Sequence, residues 1–227
     1  MAAWSYSALT MFEQCPKKFA ALRVFKTFKE TENEYMLYGQ TVHKALENHV
    51  RYGAELPDHL KHMLPTLEKI KKCGAVKAEE RYALDRSHRL TEYFDKPNTP
   101  KDRTVWLRIV IDLQVMVRDK PIAMLIDYKT GKVKEDLDQL ELFAAVMFDM
   151  YEELKQVRTG YWWVTQNQIA PKHFERNEAP IIWQKFAARV QRFEDAHKNN
   201  EWPAKPSGLC RQYCPVRDCE FYGKGNR

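Results

Sequence analysis

Residues 105–132 constrain the fold more than any other part of the chain. Their sequence, VWLRIVIDLQVMVRDKPIAMLIDYKTGK, consists of two largely apolar, alternating runs, a pattern that is typical of two strands joined by a tight turn. We place the centre of the turn at Asp119 and Lys120. A symmetric antiparallel register about this turn sets Asp112 directly opposite Asp127.

The two faces of this predicted hairpin differ in chemistry. Side chains two residues apart on a strand share a face, so Lys129 joins Asp112 and Asp127. Two opposed carboxylates repel each other unless a cation lies between them, and a divalent metal with oxygen ligands fits that role. Alternatively, both aspartates are solvated and neutralised by Lys129. The other face carries the apolar set Ile111, Leu113, Val115, Ile126 and Tyr128.

The rest of the chain predicts an α/β domain in which this hairpin is central. Helical spacing or capping residues indicate helices from Ser5 or Ser7, over 34–52, from Asp58, over 135–154 and over 180–197. Short apolar runs at 80–84 and 161–165 indicate further strands. The order of elements favours a mixed sheet flanked by helices. Charged residues are rarely buried without a partner, which counts against purely solvated aspartates in such a sheet.

Composition sets weaker limits. The chain has 227 residues, 44% of them hydrophobic, and a net charge of +6. This length suits one domain with terminal elaborations, and the charge only slightly favours nucleic-acid binding. No signal peptide or apolar run of membrane-spanning length is visible. We therefore expect a soluble, cytoplasmic protein that does not bind membranes.

Four further polar residues are considered for the same site. His43 lies one position from the apolar face of its helix and is either a boundary histidine or a metal ligand beside the carboxylates. Glu79 and Glu80 precede an apolar strand, where one of them could face the site or both could mark a charged strand entrance. Gln139 is either exposed on its helix or close enough to support the site.

The cysteines form a separate constellation. Cys210, Cys214 and Cys219 lie within ten residues in a loop-like tail, which suits tetrahedral zinc or an iron–sulfur cluster better than packing. Cys15, which is followed by proline near the other terminus, is the candidate fourth ligand. Cys73 has no place in this set. The spacing differs from the CxxC of common zinc sites, so it does not decide the metal.

Together these motifs resemble the RecB-like branch of the PD-(D/E)XK nucleases, especially small phage-type exonucleases and the related CRISPR-adaptation nucleases. SYSALTMFEQCPKKF is similar to the opening SxSxLxxFxxCPxxF, GQTVHKAL to GxxxHxxL, and IDYKTGK to hDhKTG. DQLELF is similar to a QxxxY-type motif, with Phe143 in place of tyrosine. The resemblance extends from Ser5 to Cys219. It departs from the family at Ile109, where glycine is frequent, and in the spacing of the tail cysteines.

The resemblance implies a restriction-endonuclease-like α/β core in a single domain over residues 1–227. Residues 1–75 would form a helical N-terminal part, 76–200 the nuclease core, and 201–227 a Cys-rich tail that closes on Cys15. The four cysteines Cys15, Cys210, Cys214 and Cys219 match those that hold a [4Fe–4S] cluster in several relatives. We call this set the clasp and expect it to be structural, with Zn²⁺ as the alternative.

The resemblance also implies roles for the site residues. His43, Asp112, Asp127 and the main-chain carbonyl of Tyr128 would bind Mg²⁺ or Mn²⁺. Lys129 would orient the attacking water and stabilise charge that develops on the phosphate. Gln139 would support the geometry of the site, and Glu79 is the weaker acidic candidate.

The implied activity is hydrolysis of DNA by a metal-dependent nuclease. We expect an exonuclease that acts on single- or double-stranded ends in recombination, replication or degradation of phage or host DNA. The alternatives are a nuclease that trims DNA for CRISPR adaptation and a catalytically silent DNA-binding module. If the chain is encoded by a phage, we expect it in the host cytoplasm. The sequence does not identify a helicase or recombination partner.

Overall fold

A computed structural model of the chain describes residues 3–30, 33–133 and 136–224. The chain divides into two compact units. One unit comprises Met1–Glu32 together with Lys185–Arg227, and the other comprises Asn33–Gln184. The expectation of a single domain stays a prediction.

The unit of residues 33–184 is built on one six-stranded sheet with the order β2-β1-β3-β4-β5-β6. The strands are β1 (Gly74–Leu84), β2 (Leu90–Thr91), β3 (Leu107–Val117), β4 (Ile122–Lys129), β5 (Gln156–Trp163) and β6 (Gln168–Glu175). Strands β4 and β5 run parallel, and the other neighbours are antiparallel. The predicted mixed sheet is confirmed.

The predicted register of the central hairpin is also confirmed. Strands β3 and β4 pair from Leu113 opposite Ile126 to Met116 opposite Ala123. One further step along the same register brings Asp112 level with Asp127. There, the Asp112 carboxylate Oδ2 accepts a hydrogen bond from the backbone N–H of Tyr128 at 2.7 Å.

Helices cover one face of the hairpin with an apolar core. The helices of this unit are α3 (Glu34–Tyr52), α4 (Leu64–Lys71) and α5 (Asp138–Met150), and a 3₁₀ segment (Asp58–Met63) precedes α4. Apolar residues of α3, the 3₁₀ segment and α4 pack against the predicted apolar face of the hairpin and against β5. The helical side of this core includes Val42, Leu46, Leu60, Met63, Leu67 and Ile70, and the strand side includes Leu113, Val115, Ile126, Tyr128 and Trp162. This packing leaves Asp112 and Asp127 on the other side of the strands.

Helix α5 is shorter than the sequence pattern indicates. It is predicted over 135–154, but it begins at Asp138 and ends at Met150, because Tyr151 adopts an extended backbone conformation. Glu135 lies outside the described residues. Residues from Leu142 to Phe148 are all buried, as is typical of a helix that is enclosed on every side.

Strand β6 was not predicted, since five of its eight residues are polar or Pro171 and most are exposed. It is an edge strand, where proline and polar residues are tolerated because half of the backbone groups face away from the sheet. Strand β1 also begins earlier than predicted, at Gly74. Its first four residues are at most half-buried and give little apolar signal.

The other unit contains α1 (Tyr6–Gln14), α2 (Pro16–Phe19), a short π-helix (Ala20–Val24) and most of α6 (Ala179–Asn199). Ser5 caps α1, as predicted, by accepting a hydrogen bond from the N–H of Ala8. An aromatic cluster fills the interior of this unit: Phe12, Phe19, Phe193, His197 and Trp202. Arg189 donates two hydrogen bonds to Glu13, both at 2.7 Å.

In the described parts of the chain, every helix is too short or too polar to cross a membrane.

Asp85, which follows β1, is a buried carboxylate that is expected to be critical for stability. Its side chain is 0% exposed and lies 2.9 Å from Arg89 Nε and 3.0 Å from Arg103 Nη1. Burial raises the pKa of Asp85, but hydrogen bonds from Arg89 and from the N–H of Ser87 outweigh it and hold the pKa below its usual value.

Asp85→Ala should therefore lower the free energy of unfolding by about 3 kcal/mol, because it leaves two guanidinium groups without their shared carboxylate. Because the folded-state pKa is lowered, the contribution of Asp85 is present above about pH 4 and is lost as the pH falls through the folded-state pKa. Urea unfolding at pH 7 and pH 3 measures both effects. Asp102→Ala, which removes a largely exposed partner of Arg89, is the control and should cost less than about 1 kcal/mol.

Candidate metal centre

His43, on α3, is held by one contact with the end of β4 and one with β3. Its ring atom Nε2 lies 3.0 Å from the carbonyl oxygen of Tyr128, and Nδ1 lies 3.2 Å from Asp112 Oδ1. One helical turn earlier, a side chain at Gly39 would place its Cβ 3.3 Å from Thr130 Oγ1. Glycine at this position therefore lets α3 approach the loop after β4 closely enough for His43 to reach Asp112.

An irregularity in β1 directs the Glu79 side chain toward His43. The pairs Ala78–Leu113 and Glu80–Ile111 flank it in the ladder with β3. Glu79 itself has a φ of +51°, which is rare for a residue with a side chain and is typical of strained positions at functional sites. Its Oε1 lies 3.8 Å from His43 Nδ1.

Arg51 secures this irregular backbone. Its guanidinium donates to the carbonyl oxygen of Ala78 through Nε at 2.9 Å and through Nη2, and to that of Glu79 at 3.2 Å. A planar guanidinium can hold adjacent carbonyl groups in a way that a lysine ammonium cannot. Arg51 is thus a positioning residue for Glu79.

Three ligand atoms converge in this centre. One ligand atom of His43, one of Glu79 and one of Asp112 lie within 4.8 Å of one another. No other such group occurs among the residues that the structure describes. One imidazole nitrogen and carboxylate oxygens form a donor set that suits manganese or magnesium. If Nε2 carries the proton and donates it to Tyr128, the lone pair of Nδ1 points at the two carboxylates. The residues present therefore fit a divalent metal.

Asp127, Lys129 and Gln139 form a second set beside the first. Lys129 Nζ lies 2.5 Å from Asp127 Oδ2 and donates to Gln139 Oε1 at 3.0 Å. Gln139 Nε2 donates in turn to Asp127 Oδ1 at 2.8 Å. Asp127 Oδ2 is buried and, apart from this ion pair, accepts no hydrogen bond from the residues that the structure describes. One lone pair of that oxygen is thus left for another cation.

The electrostatics of the centre favour a cation. Asp112 is 8% exposed and Asp127 only 4%, so neither is the solvated surface residue of the alternative interpretation. Burial and the charge of Asp112 raise the pKa of Asp127, although Lys129 and His43 oppose this shift. Burial lowers the pKa of His43, but hydrogen bonds to Asp112 and Glu79 outweigh it and raise the pKa to about 10. Positive charge between these carboxylates is therefore strongly stabilised.

An open cleft of about 550 Å³ leads to these residues. It is lined on one side by α3 and on the other by the strand that carries Glu79 and the loop that carries Thr130; the lining includes Tyr35, Gln40, His43, Lys44, Glu79 and Thr130. A small polar ligand can therefore reach His43 and Glu79 from solvent.

Comparison with known proteins identifies the family. The sequence matches the PD-(D/E)XK nuclease superfamily over residues 3–219. The chain belongs to this superfamily. Its members are nucleases that use divalent metals, in agreement with the centre formed by His43, Glu79 and Asp112.

Solved structures are similar in fold at low sequence identity. A candidate exonuclease from Eubacterium rectale shares 12% identity with a TM-score of 0.53, and the match covers 96% of this chain and 86% of the other. The structure of SSO0001 shares 12% identity with a TM-score of 0.45, and the match covers 98% of this chain and 88% of the other. No curated protein matches the sequence.

In this PD-(D/E)XK nuclease, the residues predicted for the metal site lie close together. His43, Asp112, Asp127, Lys129 and Gln139 are linked through the contacts above, and Glu79 joins them. Glu80 instead lies 3.8 Å from Arg51 and 3.4 Å from Lys77. The Tyr128 carbonyl, predicted as a metal ligand, is engaged by His43, so its role as a ligand stays a prediction. Ile109 is buried and serves as a core residue.

Two residues of the candidate centre were not identified in the sequence analysis. Arg51 follows His43 and Glu47 at intervals of four residues on α3, a spacing that places all three on one side of the helix and could have indicated it. The other is Tyr161, whose ring lies 4.9 Å from Lys129 Nζ. Only the parallel register of β4 and β5, which pairs Tyr161 with Asp127, brings it there. No local sequence pattern reveals that register.

The predicted clasp residues all belong to the unit that contains both termini. Cys15 Sγ accepts hydrogen bonds from the N–H groups of Lys18 and Lys205, both at 3.5 Å. Cys210 Sγ accepts one from the N–H of Ser207 at 3.4 Å. Hydrogen bonds from backbone N–H groups to cysteine sulfur also occur around the clusters that cysteines hold. Cys73, outside the set, is exposed.

Arg51→Lys is expected to weaken metal binding by about 10-fold, because the ammonium cannot hold the carbonyl groups of Ala78 and Glu79 together. The affinity for Mn²⁺, measured by isothermal titration calorimetry, tests this. Lys44→Arg changes an exposed residue of the same helix and should leave the affinity unchanged. Equal affinities of the Arg51→Lys and wild-type proteins would mean that Arg51 does not position Glu79.

Proposed function

We propose that this nuclease is a metal-dependent deoxyribonuclease that acts at DNA ends as an exonuclease. The observation that carries the proposal is the convergence of His43, Glu79 and Asp112 beside the linked residues Asp127 and Lys129. The similarity in fold to the candidate exonuclease from Eubacterium rectale supports action at ends.

His43, Glu79, Asp112 and Asp127 would hold Mg²⁺ or Mn²⁺. When bound, such a metal polarises the scissile phosphate and lowers the pKa of a coordinated water. The contribution of His43 favours Mn²⁺, because imidazole suits manganese better than magnesium. Arg51 keeps the Glu79 carboxylate in place, and the Tyr128 carbonyl fixes the orientation of the His43 ring.

Lys129 supplies a positive charge from the protein itself, in addition to the charge of the metal. Its Nζ is fixed by Asp127, by Gln139 and by the Tyr161 ring. An ammonium that is already oriented stabilises charge on a phosphate oxygen without reorganisation during the reaction. It can also orient a water molecule for attack in line with the leaving oxygen. Gln139 holds Lys129 and Asp127 in their relative positions.

The clasp is part of the proposal as a structural metal site. Cys15, Cys210, Cys214 and Cys219 would hold a [4Fe–4S] cluster that joins the two ends of the chain. No three of these sulfur atoms, all of which lie in the described residues, are within 4.8 Å of one another. Sulfur atoms of a tetrahedral zinc site lie closer, at about 3.8 Å, given zinc–sulfur bonds of about 2.3 Å. The resemblance of the four cysteines to those of cluster-binding relatives carries the choice of a [4Fe–4S] cluster, with Zn²⁺ as the alternative.

Cleavage of end-labelled DNA tests the proposed activity. We expect release of mononucleotides or short fragments from linear DNA with Mn²⁺ or Mg²⁺, none with EDTA, and Mn²⁺ at least as effective as Mg²⁺. Closed circular DNA, which has no ends, should stay intact. Cleavage of circular DNA would replace the exonuclease proposal with an endonuclease. Absence of cleavage of any DNA with either metal would favour a silent DNA-binding module.

A further inference from the structure

A group of cationic and aromatic side chains lies on and beside the strands that carry Glu79 and Asp112. Arg81 belongs to β1, Arg108 to β3, and Tyr93 and Phe94 to the connection between β2 and β3. The Arg81 and Arg108 guanidinium carbons lie 5.9 and 5.7 Å from the centroid of the Tyr93 ring, and Arg108 lies 5.3 Å from that of Phe94. We call these four residues the Arg–aromatic cluster.

Among the residues that the structure describes, no carboxylate neutralises the charge of the cluster. Across the described ranges, neither Arg81 nor Arg108 forms an ion pair with a carboxylate; Arg108 donates only to the carbonyl oxygen of Tyr93, at 2.8 Å. The acidic residues nearby in sequence have other partners, since Glu92 pairs with Lys96 and Asp95 accepts from the N–H of Val105. Two guanidinium groups are thus available to an anion.

Phe94 gives the cluster an exposed aromatic surface. Its side chain is 64% exposed, although large apolar residues favour burial. The ring meets Tyr93 edge to face, with centroids 5.0 Å apart and an interplanar angle of 90°. Tyr93 and Arg108 therefore support the Phe94 ring from one side, and its other side faces solvent.

The cluster lies close to the metal centre along both strands. Arg81 follows Glu79 by two residues on β1, and Arg108 precedes Asp112 by four residues on β3. At about 3.3 Å per residue, these separations correspond to about 7 and about 13 Å. These separations are short enough for one bound DNA strand to contact both the cluster and the metal centre.

We propose that the Arg–aromatic cluster binds single-stranded DNA beside the metal centre, with a base stacked on Phe94 and phosphates bound to Arg81 and Arg108. The proposal rests on the proposed function and specifies its substrate as a DNA strand with unpaired bases. Stacking on a side chain requires a base whose face is free, whereas base pairs in a duplex stack on each other. Two cations without carboxylate partners beside an exposed ring complement both parts of a nucleotide.

Binding of fluorescent oligo-dT, measured by anisotropy in EDTA, tests the proposal without any cleavage. Phe94→Ala should weaken binding by about 10-fold, since stacking of one base contributes about 1–3 kcal/mol. Phe94→Trp should retain it. The double change Arg81→Ala and Arg108→Ala should reduce the slope of log affinity against log salt by about 1.4, because each phosphate contact to a single strand contributes about 0.7. The corresponding double lysine variant should keep the slope.

Lys172→Ala is the matched control. Lys172 is exposed on β6, and its Nζ lies 5.9 Å from the ring centroid of Phe174. This variant therefore removes a cation beside an aromatic ring at the opposite edge of the sheet. Its affinity for oligo-dT should equal that of the wild type. Wild-type affinity of Phe94→Ala, or tighter binding of a duplex than of oligo-dT, would overturn the proposal. Because the assay contains no metal, these outcomes are independent of whether the protein cleaves DNA.

Discussion

Replacing Asp127 with asparagine should lower the rate of DNA cleavage by at least about 100-fold at saturating Mn²⁺. The substitution preserves volume but removes the negative charge that contacts Lys129 at 2.5 Å and that would bind the metal. Asparagine has a single acceptor oxygen and cannot accept from both Gln139 and Lys129, as the Asp127 carboxylate does, so the ammonium loses part of its orientation. Lys129→Ala should cause a loss of similar size, since it removes the charge that stabilises the phosphate.

The fold should survive the Asp127→Asn substitution. Burial and Asp112 raise the pKa of Asp127, which means that its charge destabilises the metal-free protein at neutral pH. The melting temperature without metal should therefore be no lower than that of the wild type. Asp119→Asn alters an aspartate in the turn of the same hairpin, at a φ of +54° that asparagine tolerates, and should keep full activity. Wild-type activity of purified Asp127→Asn protein would remove Asp127 from the centre.

Loss of any clasp cysteine should cause the second large effect, a fall in stability of about 4 kcal/mol. A metal shared by Cys15 and the tail closes a loop of nearly the whole chain, and such a link restricts the unfolded state most. Protein purified without oxygen should be brown, with broad absorbance near about 400 nm. Cys15→Ser, Cys210→Ser, Cys214→Ser and Cys219→Ser should each lose colour, solubility and thermal stability.

Cys73→Ser is the control for these variants, because Cys73 is exposed and lies outside the unit that contains the clasp. It should keep both metal content and melting temperature. Elemental analysis separates the possible metals: iron supports the cluster, whereas about one zinc per chain would replace it with a zinc site. Equal metal content in the Cys15→Ser and wild-type proteins would show that Cys15 is not a ligand and that no clasp joins the termini.

The central hairpin was predictable because two independent patterns agree in it. Alternation of polarity fixes the faces of β3 and β4, and a turn centred on Asp119 and Lys120 fixes their register, so Leu113 pairs with Ile126 as predicted. Helix α3 was equally clear, with Asn33 as its cap and Gly53 in the left-handed conformation at its end. Both elements combine a periodic apolar face with strong terminal signals.

Features that depend on distant parts of the chain could not be predicted. The strand pattern did not distinguish Glu79 from Glu80, and only the family resemblance selected Glu79. The choice depends on the positive φ of Glu79 and on its contact with Arg51 from another element. The approach of Tyr161 to Lys129 depends on the parallel pairing of β4 with β5, whose connection is a whole helix. Local patterns carry no information about such contacts.

Binding of Mn²⁺ to the wild-type protein and to Asp112→Asn, followed by electron paramagnetic resonance of the free ion, tests the central claim most directly. Asp112 contacts His43 and the backbone of Tyr128, so its carboxylate joins the α3 and β4 sides of the proposed metal centre. The account predicts saturable binding to the wild type that Asp112→Asn weakens by at least about 100-fold. Equally tight binding of Mn²⁺ to the two proteins would contradict a metal centre built on Asp112.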